Sequence, residues 1–308
     1  MIAIENLSKH FAGFAAVDNI SFTVDKGDIL GFLGPNGAGK TTTMRVITSF
    51  IPPSSGRVTV FGHDVVRDSL KSRACIGYLP ESVPFYPEMR INEYLTFRAR
   101  LKGVPARERR SRIDQVMEKC RIKDVERKII GHLSKGYRQR VGMADAIIHN
   151  PPILILDEPT IGLDPNQIRQ VRDLIKELGQ ERTIIISTHI LPEVEMICNR
   201  VVIINRGKIA TLDTLSHLVQ DAAVRGKVLA EIKGPKAEIE NALKQIPGVT
   251  SVDTKEENGW NLLIINAGGQ DIRDAVYKTA VDHKWLIREL TRKQESLEDM
   301  FVRITAKE

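Results

Sequence analysis

The chain has 308 residues, of which 42% are hydrophobic and 27% are charged, a balance typical of a globular protein and unlike that of a fibrous or disordered one. This length suffices for one large domain, or for one large and one small domain, each with its own core. The net charge of +6 raises a nucleic-acid-binding interpretation, but the most basic run, 107–112, is interleaved with acidic residues and flanked by apolar ones at helical spacing. That pattern favours the solvated face of an amphipathic helix, so no nucleic-acid partner is expected.

The first part of the chain predicts an α/β domain over residues 1–215. Residues 1 to about 80 read as the strands IAIEN, AVDNISFTV, DILGFLG and RVTVFG, with a helix that begins at Lys40. Residues from about 82 to 150 repeat apolar residues at spacings of three and four, which predicts an inserted helical subdomain. From 151 to about 210, strongly apolar strands alternate with helices, as in a buried and largely parallel sheet.

The remaining residues, 216–308, are predicted to form a smaller accessory domain. After a linking helix near LDTLSHLVQ, the pattern reads strand, helix, strand, strand, helix, strand and a final helix. That order resembles a small ferredoxin-like α+β domain. The segment contains no group of residues suited to catalysis, so we assign it to regulation, dimerisation or docking.

Three features of the sequence bear on location. Cys75, Cys120 and Cys198 are far apart and in no metal-ligand spacing, as expected for reduced thiols of a cytosolic protein. The N-terminal stretch shows no secretion signal. No apolar stretch approaches the roughly 20 residues of a membrane-spanning helix. We therefore expect a cytoplasmic protein in which any membrane work is done by another chain.

A glycine-rich phosphate-binding loop follows the strand ILGFL and opens the helix TTTMRVIT. Glycines let successive backbone N–H groups surround phosphates, and the helix N-terminus adds partial positive charge. We expect Lys40 to reach the terminal phosphates and the Thr41 hydroxyl to coordinate Mg²⁺. The alternative, a glycine-rich turn without a ligand, fits this context poorly. The residues predicted to bind nucleotide are Gly34, Pro35, Asn36, Gly37, Ala38, Gly39, Lys40, Thr41 and Thr42.

Two further strands end in polar side chains at the same predicted sheet edge. Asp157 ends the strand ILILD and can hold Mg²⁺, while Glu158 can accept the proton of a water that attacks the γ-phosphate, a contribution of about 10²- to 10⁴-fold. His189 follows the strand TIIIST and can donate to the γ-phosphate. The alternatives are acids that cap a helix and a structural histidine. We take Lys40, Glu158 and His189 as the catalytic candidates.

The motifs, in their order, resemble the ATP-binding subunit of ABC transporters. The P-loop GPNGAGKTT, the segment IGYLPES, the signature segment LSKGYRQR (133–140), ILILDEP, GLDP and STH cover residues 1 to about 210. The signature segment is the most specific, since many ATPases share a P-loop. The resemblance implies a RecA-like core, an antiparallel β region near the N-terminus and Mg²⁺-dependent hydrolysis of ATP.

The resemblance also implies that two copies of the chain pack head to tail around two ATP molecules. Ser134 and Gly136 of one copy would contact the γ-phosphate bound by the other, and Asp164 would lie at the dimer seam. Glu81 stands where most members have a glutamine that links Mg²⁺ to the helical subdomain, so it is a candidate metal ligand that adds negative charge. Phe11 is the candidate for stacking on adenine, with Phe14 as the competing choice and a core role as the alternative for either.

Two residues of the signature segment depart from the family pattern. Lys135 and Tyr137 replace the usual glycine and glutamine, and we expect Lys135 to face solvent. These variants and the ferredoxin-like tail look most like type 2 ABC exporters, including the branch associated with bacterial gliding motility.

Such exporters pair with a separately encoded integral membrane permease, so the resemblance implies a subunit held at the inner face of the membrane. Residues 83–95 would form part of the groove that receives the permease, although Phe85, Tyr86 and Met89 could equally be packing residues. The alternative function is a soluble ABC-type ATPase that acts on the ribosome or DNA. A single P-loop and the lack of sustained heptads fit that alternative poorly. A non-hydrolysing regulatory module is a third reading, and the full set of catalytic candidates argues against it.

Overall fold

The computed structural model describes residues 1–224, 226–293 and 296–306, and the chain divides into two compact units, Met1–Leu215 and Ser216–Glu308. The first unit contains two sheets and the helices that pack on them. Its strands and helices in chain order are β1 (Ile2–Phe11), β2 (Phe14–Val24), β3 (Ile29–Leu33), α1 (Lys40–Ile47), β4 (Ser55–Val60), β5 (His63–Asp64), α2 (Ser69–Ala74), β6 (Ile76–Leu79), α3 (Ile91–Leu101), α4 (Arg109–Lys119), α5 (Lys135–Ile147), β7 (Ile153–Asp157), α6 (Pro165–Gly179), β8 (Thr183–Thr188), α7 (Leu191–Ile197), β9 (Arg200–Asn205) and β10 (Lys208–Thr214).

The N-terminal sheet is antiparallel and has four strands in the order β2-β1-β4-β5. Buried and exposed residues alternate along the second half of β2, as expected for a sheet with one face on the core. The buried face contributes Ile4, Val17, Ile20 and Val58 to the main core of the unit. The antiparallel β region predicted near the N-terminus is therefore confirmed.

The central sheet has six strands in the order β10-β9-β3-β8-β7-β6, and all neighbours except β10 and β9 are parallel. Every residue of β7 and β8 is buried, which explains why these strands read as near-continuous apolar runs. The strands β3, β8 and β7 are adjacent, with Leu33 opposite Thr188 and Asp157 opposite Ser187. Their carboxyl ends therefore meet at one edge, and this confirms the predicted RecA-like arrangement.

The helical segment of the first unit contains α3, α4 and α5. A polar cluster joins α3 to α5, because Asp145 on α5 accepts a hydrogen bond from Arg98 Nε on α3 at 2.9 Å and forms an ion pair with Lys102 Nζ, just after α3, at 3.1 Å. His149 follows α5 and contacts the Ile76 carbonyl at 3.1 Å through Nε2. None of the helices formed by the described residues has the length and apolar character needed to cross a bilayer.

One predicted boundary differs from the structure. The helix expected near LDTLSHLVQ begins only at Leu215, because the preceding residues continue β10. Asp213 and Thr214 pair with Val201 and Arg200 of β9, and this ladder outweighs the helical pattern of the local sequence.

The boundary between the units falls at the first residue of α8 (Leu215–Val224), and the second unit continues with β11 (Lys227–Lys233), α9 (Lys236–Lys244), β12 (Ser251–Glu257), β13 (Trp260–Asn266), α10 (Arg273–Asp282), β14 (Leu286–Lys293) and α11 (Leu297–Ala306). Its sheet is antiparallel in the order β12-β13-β11-β14, which confirms the predicted ferredoxin-like fold. The core includes Val228, Ile239 and Ile265. Trp285 stacks on His283 with ring centroids 4.5 Å apart.

Candidate functional site

The backbone of the phosphate-binding loop requires glycine at two positions, one near each end of the glycine-rich segment. A Cβ at Gly34 would overlap the Ile204 carbonyl oxygen. Gly39 has φ of +107° and immediately precedes α1, and a Cβ there would lie 2.5 Å from the Ala16 carbonyl oxygen. Between them, Asn36 and Gly37 are exposed. Neighbouring backbone thus packs against the loop at Gly34 and Gly39, while its middle is exposed and accessible to a ligand.

Lys40 lies under this loop and is almost fully buried. Its Nζ donates to the carbonyl oxygens of Gly34 at 2.8 Å and Pro35 at 3.2 Å. The same ammonium lies 3.5 Å from Glu158 Oε1, and both side chains are 6% exposed. Removal of either side chain would leave the other as an uncompensated buried charge, which destabilises the folded protein.

Thr41 and Asp157 meet at the carboxyl end of β7. Thr41 Oγ1 donates to Asp157 Oδ1 at 3.2 Å, and Ser187 Oγ donates to the same oxygen. Burial raises the pKa of Asp157, and the negative charge of Glu81 adds to the rise, while the two hydroxyl groups and Lys40 oppose it. Asp157 Oδ2 is buried and has no hydrogen-bond partner among the described residues.

This unpaired oxygen is a test of whether the residues fit Mg²⁺. A hydroxyl group and a carboxylate with a free buried oxygen are the hard oxygen ligands that Mg²⁺ prefers, and one or two carboxylates together with phosphates are its usual protein environment. Glu81 is exposed, yet it is close enough to influence the titration of Asp157. Within the part of the chain that the structure describes, no group of three or more His, Cys, Asp or Glu side chains converges. The donors therefore fit an ion that a phosphate ligand helps to bind.

Glu158 and His189 form the second half of the cluster. Glu158 has φ of +49°, a left-handed conformation that costs a non-glycine residue about 1 to 3 kcal/mol. Its backbone N–H donates to Ser187, at 3.0 Å to the carbonyl oxygen and 3.2 Å to Oγ. Its carboxylate oxygens both lie 3.0 Å from His189 Nδ1. Glu158 therefore lies between Lys40 and His189, and the whole residue is 5% exposed.

The signature segment lies at the start of α5. Ser134 is the N-cap residue of α5, is exposed, and its Oγ accepts from Tyr137 N at 3.4 Å. Gly136 is buried against the end of the Gln167 side chain, which would have to move to accommodate a Cβ. Lys135 is exposed as expected, but its ammonium lies over Gly162, in the loop that follows Glu158. The start of α5 thus contacts the loop and the first turn of α6 in its own chain.

Tyr137 is anchored by two neighbours. Its hydroxyl donates to Asp124 Oδ2 at 3.0 Å, and the Arg140 guanidinium lies 4.2 Å from its ring centroid. These contacts give a packing reason for an aromatic residue at this variant position.

The other predicted site residues have separate surroundings. Asp164 is the N-cap residue of α6 and accepts from the backbone N–H groups of Asn166 at 3.0 Å and Gln167 at 2.9 Å. Phe11 is 46% exposed at the end of β1, with Lys9 Nζ 5.1 Å from its ring centroid. Among the described residues, none of the hydrogen bonds or ion pairs joins Ser134, Asp164 or Phe11 to the Lys40–Glu158–His189 cluster. That cluster is what the fold brings together within one chain.

Sequence reasoning missed four side chains that support the cluster: Ser187, Thr160, Thr188 and Glu193. Ser187 donates to Asp157, while Thr160 and Thr188 both donate to Glu193 on α7. Ser187 and Thr188 belong to the predicted STH motif, and Glu193 is a charged residue among the inward-facing apolar residues of LPEVEMI. These two features of the sequence could have indicated the supporting residues.

Comparison with known proteins agrees with this geometry. The sequence model of the family "ABC transporter" matches residues 17–161. The chain is 34% identical over 306 residues to the uncharacterised ABC transporter ATP-binding protein YxlF of Bacillus subtilis (strain 168), with 99% of each chain covered. It is 39% identical to the bacitracin transport ATP-binding protein BcrA of Bacillus licheniformis, with 71% of each chain covered.

A solved structure of an ATP-binding subunit of an ABC transporter aligns with a TM-score of 0.66 and 28% identity, over 71% of this chain and 92% of that one. The phosphate-binding loop, the cluster at the sheet edge and the full-length similarity to YxlF lead to the same assignment. The chain belongs to the ATP-binding proteins of ABC transporters.

Proposed function

We propose that this chain is the Mg²⁺-dependent ATPase subunit of an ABC exporter, in which two copies bind two ATP molecules between them and drive a separately encoded permease. The observation that carries the proposal is the cluster of Lys40, Glu158 and His189 at the carboxyl edge of the central sheet, directly beside the phosphate-binding loop. A base, a cation and a hydrogen-bond donor at one point are the groups that hydrolysis of a phosphoanhydride requires.

In this proposal the residues have distinct roles. Residues 34–42 surround the phosphates and hold them through backbone N–H groups, which Pro35 lacks, and Lys40 exchanges its carbonyl partners for the terminal phosphates. Glu158 accepts the proton of the attacking water, and His189 donates to the γ-phosphate. Thr41, Asp157 and Glu81 would hold Mg²⁺, which when bound supplies positive charge beside the phosphates.

The remaining predicted residues contact either the adenine of ATP or the ATP bound to the second copy. Phe11 has an exposed ring that is available to stack on adenine. Ser134, Gly136 and Asp164 contact ATP bound to the second copy. Exposure of Ser134 and Asp164 supports this role, since both are accessible in the single chain, whereas Gly136 is covered by the Gln167 side chain, which would have to move.

The transport half of the proposal rests on relatives. The name of the bacitracin relative specifies transport, and its similarity covers 220 residues of this chain. We propose that the chain lies at the inner face of the membrane through its permease, and that residues 83–95 form part of the contact. In that segment Tyr86 is 47% exposed and packs edge-on against Phe97 with centroids 5.6 Å apart. The type 2 exporter class, and the gliding-motility branch within it, are the subclass that we propose, with no nucleic-acid partner.

The domain roles complete the proposal. Residues 1–215 form the ATP-binding domain, with the helical subdomain at about 82–150 as the part that responds to the permease. Residues 216–308 act in regulation or dimerisation. The exposed side chains of Tyr277, Val281 and Leu286 in this unit support a role in contacts with other chains.

The test is the substitution Glu158→Gln in the full chain. Loss of the base should lower ATPase activity by at least about 100-fold and leave ATP bound, so that gel filtration with saturating Mg²⁺-ATP shows a dimer. Glu118→Gln, on the exposed face of α4, is the control and should behave as the wild type. A Glu158→Gln variant that hydrolyses ATP normally and stays monomeric contradicts the proposal.

Co-purification with a membrane protein encoded beside this gene tests the permease, and co-purification with ribosomes instead would overturn it.

A further inference from the structure

Glu193 is a buried carboxylate that lies close to the Lys40–Glu158–His189 cluster through its threonine partners. It lies in the first turn of α7 and is 2% exposed, whereas Glu195 on the same helix faces solvent. None of the ion pairs formed by the described residues includes Glu193. Burial of a carboxylate without a counter-charge costs hydration free energy. The hydrogen bonds of Glu193 must offset that cost.

Its two oxygens hold two separate parts of the chain. Oε1 accepts from Thr160 Oγ1, and Oε2 accepts from Thr188 Oγ1 at 3.0 Å. Thr160 is 2% exposed and Thr188 is fully buried. Thr188 Oγ1 in turn accepts from Ile190 N at 3.1 Å, so its only proton is directed to Glu193.

These two threonines flank the reacting cluster. Thr160 lies two residues after Glu158, and Thr188 immediately precedes His189. Glu158 is in the left-handed conformation, which persists in a non-glycine residue only where the surroundings impose it. One of those constraints is its hydrogen bond to Ser187, and the tie from Thr160 through Glu193 to Thr188 is a second one on the same loop.

We propose that Glu193 is a positioning residue for hydrolysis: it ties the loop after Glu158 to the end of β8, and thereby keeps the Glu158 carboxylate against His189. This inference rests on the proposed function, because it assumes that Glu158 and His189 act on ATP. Glu193 does not touch the nucleotide. It acts through the relative placement of two side chains that do.

The chemistry of the tie distinguishes glutamine from alanine at this position. A glutamine can accept from one threonine hydroxyl and donate to the other, so Glu193→Gln retains the link in part. Glu193→Ala removes both bonds and leaves two buried hydroxyl groups without their acceptor. A displacement of about 1 Å at a reacting group can lower a rate about 100-fold.

The experiment measures steady-state ATPase activity of the purified full chain. We expect Glu193→Ala to lower kcat about 10- to 100-fold with a KM for ATP within about three-fold of the wild type, and Glu193→Gln to recover most of the loss. Glu195→Ala is the matched control on the exposed side of the same helix and should leave kcat unchanged. A Glu193→Ala variant with wild-type kcat overturns the inference.

A second arm separates positioning from a general loss of structure. If Glu193 acts through Glu158, adding Glu193→Ala to Glu158→Gln should cause little further loss, because the effects are not additive when one residue acts through another. A fully additive loss overturns the inference. Normal hydrolysis by Glu158→Gln alone would instead contradict the proposed function, so the two failures are distinguishable.

If Glu193→Ala does not fold, Thr160→Val and Thr188→Val each remove one hydroxyl group from the tie at nearly constant volume. A lower kcat at similar KM in both valine variants supports the inference, and wild-type kcat in both overturns it.

Discussion

His189 Nδ1 lies 3.0 Å from each carboxylate oxygen of Glu158, so one ring nitrogen faces the acid and the other is left for a ligand. A carboxylate can only accept, so Nδ1 is the donor in this pair, and donation from Nε2 to a phosphate requires the doubly protonated ring. We expect His189→Ala to lower kcat by about 100-fold or more, as is usual when one donor to a developing negative charge is lost, with a KM for ATP within about three-fold. His283→Ala, on the surface of the second unit, is the control. Wild-type kcat in His189→Ala would remove the histidine from the mechanism.

The glycine at the start of α1 offers a test of the phosphate-binding loop. Both Gly39 and Gly27 have positive φ, but only Gly39 has backbone within reach of an added Cβ. Gly27→Ala should cost about 1 to 2 kcal/mol of unfolding free energy from backbone strain alone. Gly39→Ala adds the overlap with the Ala16 carbonyl, so we expect about 3 kcal/mol or more and loss of ATP binding. Chemical denaturation followed by circular dichroism, with ATP binding measured by calorimetry, checks both. Equal costs for the two variants would contradict the steric argument.

Phe11 and Phe14 lie at opposite ends of the β1–β2 turn, pair with each other in the ladder and are both exposed. If Phe11 stacks on adenine, Phe11→Ala should weaken ATP binding by about 1 to 3 kcal/mol, or roughly 5- to 150-fold. Phe14→Ala is the matched comparison and should leave ATP affinity unchanged. Calorimetric titration with ATP and with inorganic triphosphate, which lacks the base, completes the test. A similar loss of triphosphate affinity in Phe11→Ala would show that stacking is not the cause.

Glu81 adds negative charge beside Asp157 and contributes to the raised pKa of that carboxyl group. We expect Glu81→Gln to raise the Mg²⁺ concentration required for half-maximal ATPase activity by about two- to ten-fold, since fewer ligand charges weaken cation binding. Titration of ATPase activity with Mg²⁺ at fixed ATP measures this. Glu118→Gln serves as the control. No change in either Mg²⁺ dependence or rate would remove Glu81 from the site.

His149 predicts how unfolding depends on pH. Burial, with Lys102 nearby, lowers the pKa of His149 from its usual value of 6.5 to about 4. Between those values the unfolded chain binds more protons than the folded chain, so the free energy of unfolding falls as pH falls from about 6.5 to 4. The raised pKa of Asp157 has the opposite sign. We therefore compare variants rather than absolute values.

The His149 contribution should amount to about 2 kcal/mol between pH 7.5 and pH 5. His149→Gln keeps a donor for the Ile76 carbonyl but does not titrate, and it should lose that part of the pH dependence. Urea denaturation at the two pH values, followed by circular dichroism, measures the difference. If the wild type and His149→Gln change equally with pH, the buried histidine is not the cause.

The reacting cluster could be predicted because each of its members follows a recognisable apolar strand. Parallel strands share a carboxyl edge, so the sequence pattern predicts that Lys40, Asp157 and His189 lie close together. The tie through Glu193 could not be predicted, because Thr160 lies 33 residues before it and the contact depends on how the loop after Glu158 turns. The position of Lys135 over Gly162 was missed for the same reason, since a charged residue at the start of a helix gives no sign of which loop it covers.

Both tryptophans of the chain, Trp260 and Trp285, belong to the ferredoxin-like unit, whereas the phosphate-binding loop lies in the other unit. Trp285 stacks on His283, and Trp260 lies under the Arg288 guanidinium at 4.9 Å. The tryptophan fluorescence of the protein therefore comes from one unit, while the phosphate-binding loop lies in the other. A change in tryptophan emission on addition of ATP would be an optical signature that nucleotide state reaches the C-terminal unit, obtained without a label.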